Sequence, residues 1–151
     1  MSGVLPPFSA RQNAWDSDRE VTDPAVHVLV VDDQAPFRLA ARAVIRRTEG
    51  FELVGEAATG EEAVTMVADL HPTLVLMDIN MPGINGIEAT RQIMASAPET
   101  VVFLCSTYQL SDLPPDAITS GAQAYVNKED LGAEALRRLW DRREEEPFSI
   151  T

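Results

Sequence analysis

The chain has 151 residues, 45% of them hydrophobic and 24% charged, proportions that suit one globular domain with tails and leave no room for a second large domain. Its 24 acidic residues against 12 basic ones give a formal charge of −12, a field that repels the phosphates of nucleic acid. No apolar run reaches the roughly 18 residues of a membrane helix, no signal-peptide pattern opens the chain, and Cys105 has no second cysteine to pair with, so a cytoplasmic protein with no membrane and no direct nucleic-acid partner is expected.

Residues 1–24 contain Pro6-Pro7, scattered polar residues and no sustained period, and are expected to be a flexible leader in which Phe8 and Trp15 are the only candidates for local docking. Order should begin near Ala25. Val26, Val28, Leu29, Val30 and Val31 form an apolar run that ends in Asp32-Asp33 and reads as a buried strand. A helix follows over 37–47, with Phe37, Ala40, Ala41, Val44 and Ile45 on one side, closed by Gly50. Residues 51–57 alternate as a second strand. Thr59 and Glu62 have the spacing of a capping box, opening a helix that runs to about Leu70 before His71-Pro72.

Leu74 to Met77 make a third buried strand ending at Asp78. Met81-Pro82-Gly83 and Asn85-Gly86 are turn chemistry, followed by a helix over 87–94. Residues 101–105 form a fourth strand. Pro114-Pro115 suits the start of a short helix over 116–120, which Gly121 ends. Residues 124–127 give a fifth strand and 131–142 a last helix, with Leu131, Ala135, Leu136 and Leu139 inward. Residues 144–151 read as a solvated end, leaving a folded unit of about 25–143. Five strands alternating with five helices require parallel strands joined by right-handed crossovers, with helices on both faces of the sheet. The working crevice of such a sheet lies at the carboxyl ends of its strands.

Those ends carry the chemistry. Strand one ends in Asp32-Asp33, strand three in Asp78, strand four at Ser106 and strand five at Lys128, which is the only lysine beside eleven arginines. Each residue also has a plain explanation: aspartates cap turns, small hydroxyls are common at strand ends, and lone lysines are usually solvated. Adjacent acids repel unless a cation sits between them, and a few carboxylates plus water are what magnesium uses. An aspartate on an open loop at the lip of the sheet can act as a nucleophile and form an acyl phosphate, given cations to neutralise the transferring group. Cys105 reads as a small buried apolar residue.

With these residues in order and register, the chain closely resembles the receiver domain of two-component response regulators over residues 26–142. The motifs are Val30-Val31-Asp32-Asp33, Leu76 to Gly83 with Asn85-Gly86, Ser106 placed 28 residues after Asp78, and Gly121-Ala122 through Tyr125 to Lys128, which lies 22 residues after Ser106. The resemblance implies a flavodoxin-like doubly wound (βα)5 fold with strand order 2-1-3-4-5. It also implies that Asp78 accepts a phosphoryl group from a sensor histidine kinase or phosphotransfer protein. Asp33, Asp78 and the backbone carbonyl of Asn80 would bind Mg²⁺, with Asp32 acting on the metal or its water. Ser106 and Lys128 would hold phosphoryl oxygens, Tyr125 would be the switching aromatic, and Asn80 with Tyr108 would set phosphate lifetime. A downstream protein target is implied, and a homodimer is left open.

Three departures from the family pattern stand out. Glu129 follows the lysine where the family usually has proline. Pro114-Pro115 implies a late, small fourth helix on what is usually the output face. Only nine residues follow Arg142, so no DNA-binding output domain is expected, and the start at Met1 favours a stand-alone module over a truncated transcription regulator. The module is expected to be a phospho-acceptor rather than an enzyme in its own right. An aspartyl phosphohydrolase would need a second acid where Asn80 stands, and no glycine-rich loop after the first strand supports nucleotide binding. A degenerate receiver with a purely structural role is disfavoured because every pocket residue is present.

Overall fold

The first strand, β1 (Val26–Val31), buries every side chain except His27, as its β-branched apolar run dictates. It lies between β2 (Phe51–Ala57) and β3 (Leu74–Asp78), and β4 (Val101–Ser106) and β5 (Ala124–Asn127) follow outward. The computed structural model describes residues 24–145 and 148–150. All its strand pairs are parallel, and these five run in the order β2-β1-β3-β4-β5, the doubly wound arrangement expected from the sequence. The expected leader, Phe8 and Trp15 included, lies outside the described residues apart from Pro24.

Among the described residues four α-helices cover the sheet: α1 (Ala35–Arg47), α2 (Gly60–Leu70), α3 (Gly86–Ser96) and α4 (Ala133–Asp141). Strand alternation divides the core in two. Leu29, Val31, Val75, Met77, Val102, Leu104 and Tyr125 point toward α2 and α3, where they meet Ala63, Val67, Ala89 and Ile93. Val28, Val30, Leu74, Leu76, Phe103 and Val126 point the other way, onto Ala41, Val44 and Ile45 of α1 and Leu136 and Leu139 of α4. The predicted cap of α2 is present: the Thr59 hydroxyl accepts from the Glu62 N–H at 3.0 Å, while the Glu62 carboxylate accepts from the Ala58 N–H at 2.8 Å. Asn85 does the same for α3, its side chain accepting from the Glu88 N–H at 2.9 Å.

Two segments differ from expectation. The short helix expected over 116–120 is instead a 3-10 turn, Pro115–Ala117, with another 3-10 turn before it at Leu110–Asp112. Pro115 can start a turn, but Gly121 at φ +101° closes the segment six residues later, too short a span for a helix to propagate. At the other end, the segment read as solvated contributes a two-residue strand, β6 (Ser149–Ile150), which pairs in parallel with Ala124 and Tyr125 at the open edge of β5. Phe148 packs against the adjoining core, and the apolar side chain beside a bare strand edge accounts for the docking.

Candidate functional site

The register sets the strand ends side by side. Val31 pairs with Met77, Asp78 with Cys105 and Ser106 with Asn127, so Asp32, Asp78, Ser106 and Lys128 emerge along one rim. Past Asp78 the chain is clamped: the Ile79 N–H donates to the Cys105 carbonyl at 3.1 Å, and the Gly86 N–H donates to the Ile79 carbonyl at 2.8 Å. A Cβ on Gly86 would lie 1.9 Å from the Asp78 carbonyl oxygen, so only glycine lets α3 begin against the end of β3. The intervening loop turns at Gly83, with φ +80°, and is tied to α2 by the Glu61 carboxylate, which accepts from the Ile84 N–H at 3.2 Å.

Asp32, Asp33 and Asp78 each place a carboxylate oxygen within 4.8 Å of the others. Asp32 is wholly buried, Asp78 is 4% exposed, and Asp33 faces solvent. Asp32 Oδ1 accepts from the Gln34 N–H at 2.8 Å, which fixes the carboxylate. The Lys128 ammonium meets Asp32 Oδ2 at 2.6 Å and Asp78 Oδ1 at 3.1 Å, and lies 4.6 Å from the centroid of the Phe37 ring. The approach to Asp32 Oδ2 is an ion pair without hydrogen-bond alignment, so that buried oxygen has no aligned donor. Three carboxylates against one ammonium leave this pocket with surplus negative charge. Burial, then the Asp32 charge, push the Asp78 carboxyl up to about 6, although Lys128 pulls the other way. Burial disfavours the Lys128 charge, but its ion pairs with Asp32 and Asp78 outweigh that, and its pKa stands above the ordinary lysine value.

A cavity of about 310 Å³ opens above these groups, lined by Asp33, Gln34, Asp78, Asn80, Ser106, Thr107 and Lys128. All the candidate residues except three line it. Asp32 lies beneath, and Tyr108 and Tyr125 stand behind the Ser106 wall. Ser106 Oγ accepts from the Tyr108 N–H at 2.9 Å, leaving its own proton free to donate. Tyr125 is 2% exposed and turned inward, its one hydroxyl proton shared between the Tyr108 carbonyl at 2.8 Å and the Ser106 carbonyl at 3.1 Å. The Tyr108 hydroxyl reaches the loop after β3 and donates to the Asn80 side-chain oxygen at 3.1 Å. Cys105 is buried and burial pushes its thiol up to about 12, so it is the inert apolar residue expected.

Gln34, Thr107, Phe37 and Asn127 escaped the sequence reading as site residues. Gln34 and Thr107 each directly follow a recognised position, the only signal available for them. Phe37 was legible only as a core residue. Asn127 gave no signal, since its role depends on contacts across to the loop after β4.

Acids thus stand at two strand ends of an α/β/α sandwich, a hydroxyl at a third and a lysine just past a fourth, the charges and donors that a phosphoryl-accepting carboxylate needs around it. The chain matches the response regulator receiver domain over residues 28–139 and belongs to that family. It is 39% identical over 101 residues to the chemotaxis protein CheY of Thermotoga maritima, covering 67% of this chain and 83% of CheY. It is 32% identical over 119 residues to the transcriptional regulatory protein DegU of Brevibacillus brevis, covering 79% of this chain and 50% of DegU. Among solved structures, a LuxR-family two-component response regulator from Aurantimonas sp. SI85-9A1 superposes with TM-score 0.74 at 30% identity, covering 82% of this chain and 89% of that one. The response regulator domain of Thermotoga maritima CheB gives 0.69 at 30%, covering 80% and 97%. The chain spans half or less of the length of DegU and of the Pseudomonas aeruginosa response regulator GacA, which it also matches. Phosphoryl acceptance and dependence on Mg²⁺ are general properties of receiver domains, whose partners are histidine kinases and downstream targets. No described helix is long and apolar enough to cross a membrane.

Proposed function

We propose that this chain is a phosphorylation-controlled signalling switch in which Asp78 takes a phosphoryl group from a phosphohistidine on a sensor kinase or phosphotransfer protein. The observation that carries this reading is the placement of Asp78 Oδ1 at 3.1 Å from Lys128, on the floor of a polar cavity walled by Ser106. A carboxylate oxygen of Asp78 attacks phosphorus, a P–O bond forms, and the P–N bond breaks with its electron pair left on the imidazole nitrogen. In the hydrolysis that resets the switch, water attacks phosphorus and returns the Asp78 carboxylate and inorganic phosphate.

The residues present fit a divalent cation. Three oxygen donors converge, the buried Asp32 Oδ2 lacks an aligned donor, and the local charge is negative. Asp33, Asp78 and the Asn80 backbone carbonyl would hold Mg²⁺, with Asp32 acting on the ion or its water. When bound, the ion supplies charge neutralisation for the transferring group. Lys128 already neutralises part of the pocket and is poised to pair with a phosphoryl oxygen, while the free proton of Ser106 donates to another. Drawing Ser106 inward moves the carbonyl that Tyr125 holds, which couples the pocket to the β5 edge. Asn80 lines the cavity and is held by the Tyr108 hydroxyl, so this pair controls access of the hydrolytic water and sets the lifetime of the phosphate.

The signalling role is exerted by protein contact, in the cytoplasm, on a downstream protein target. The curated relatives that carry regulators' names are about twice as long as the matched span, so a role within a longer transcription regulator is the second reading. Intact mass after incubation with acetyl phosphate and Mg²⁺ tests the switch. One phosphoryl group should be gained by the native protein and none by Asp78→Asn or without metal. A folded native protein that gains nothing and binds no Mg²⁺ would sink the reading in favour of a structural module.

A further inference from the structure

The loop carrying Ser106 and the turn carrying Lys128 come from different strands, yet both must face one phosphoryl group. Among the described residues, one side chain bonds to both the loop and the turn. Asn127, the last residue of β5, donates through Nδ2 to the Tyr108 carbonyl at 3.0 Å and accepts through Oδ1 from the Glu129 N–H at 2.9 Å. The Tyr108 carbonyl is the same oxygen that receives the Tyr125 hydroxyl, and the Tyr108 N–H is the donor that orients Ser106 Oγ. On the other side, the Glu129 N–H belongs to the 3-10 turn Lys128–Asp130, in which Asn127 is the capping residue. Proline at 129 could not supply that N–H. Glu129 and Asn127 therefore work as a pair, and the amide of Asn127 bridges the two halves of the anion-holding wall.

We propose that Asn127 is a positioning residue for phosphoryl transfer, locking the Lys128 turn to the Ser106–Tyr108 loop so that ammonium and hydroxyl present themselves as one rigid unit. This rests on the phosphoryl-acceptor reading above and deepens it. Asn127 itself touches neither the carboxylates nor the cavity: its amide spends both hydrogen-bonding ends on backbone groups. Its effect is on geometry. A rigid pair of donors contributes more to a transition state than two that must be ordered at the moment of reaction.

The test uses the full chain with acetyl phosphate as donor, in which the P–O bond to acetate breaks and acetate leaves with the electron pair as the Asp78 P–O bond forms. Asn127→Leu removes both bonds at similar volume, and Glu129→Pro removes only the bond from the turn. For Asn127→Leu the maximal phosphorylation rate should fall about tenfold, with a smaller fall for Glu129→Pro. The Mg²⁺ concentration for half-saturation should stay within about twofold, because Asp32, Asp33 and Asp78 keep their places. In metal-free Asn127→Leu, amide exchange at residue 129 should quicken while the melting temperature holds. Two results overturn the proposal: wild-type rates in both variants, or losses of rate, Mg²⁺ affinity and melting temperature in step, which mark a structural role only. A native protein that accepts no phosphoryl group overturns the acceptor reading itself, and this inference with it. Native phosphorylation alongside unaffected variants removes this inference alone.

Discussion

At the scale of single residues, the site is a charge imbalance held in place by the fold. Asp78 titrates at about 6 instead of its ordinary 3.8 because it is buried beside another carboxylate. Between those two values the folded protein holds a proton that the unfolded chain has released, so stability falls as pH rises through this window and the loss is complete above about 6. A tenfold change in proton affinity is worth about 1.4 kcal/mol, which puts the metal-free penalty at neutral pH at no more than roughly 3 kcal/mol. Water in the open cavity screens part of it and leaves about 2 kcal/mol. Asp78→Asn should therefore be more stable than the native protein by about that amount at pH ~7.5, and the gain should vanish near pH ~4. Urea unfolding without metal at both pH values checks this, and a pH-independent difference would contradict it.

At the scale of elements, the helix starts decide where Asp78 sits. Gly86 opens α3 against the Asp78 backbone, whereas a Cβ on Gly132, which opens α4, would meet nothing within 4 Å. Gly86→Ala should cost about 2–4 kcal/mol or displace α3, while Gly132→Ala should change stability by less than about 1 kcal/mol. Chemical denaturation of the two variants side by side gives the comparison, and equal effects would count against the steric argument. Much of this was legible in the sequence. Thr59 with Glu62, the Asn85-Gly86 turn and the apolar runs of β1 and β3 are local signals, and each appears where its pattern places it. The run after β4 was not legible in detail, because Pro114-Pro115 permits a helix start without saying whether enough residues follow to propagate one. Asn127 was illegible for another reason: its cap on Glu129 is local, but its partner 19 residues back is brought to it only by the β4–β5 register.

At the scale of the whole molecule, the sheet ends differently from the five-strand expectation. β6 occupies the open edge of β5, pairing with Ala124 and Tyr125, the latter already bonded to the Ser106 loop. Isolated apolar residues near a chain end carry no periodic signal, which is why 144–151 read as solvated. Deleting residues 148–151 should leave the doubly wound fold intact by far-UV circular dichroism and cost about 1–2 kcal/mol, since few residues and one half-buried aromatic are lost. Amide exchange along Ala124–Val126 should rise in the shortened protein. Unchanged protection there would show that β6 does not cover the edge.

The lone lysine has a practical consequence. Lys128 is held between two carboxylates with 14% of its side chain exposed, and the sequence offers no other ε-amine. Among side chains, a reagent that acylates amines therefore has one target, in the acidic pocket, and peptide mapping separates it from the α-amine of the first residue. The rate at which a mass label appears on Lys128 is a direct clock for how often the ammonium leaves its carboxylates, readable by mass spectrometry without an introduced probe.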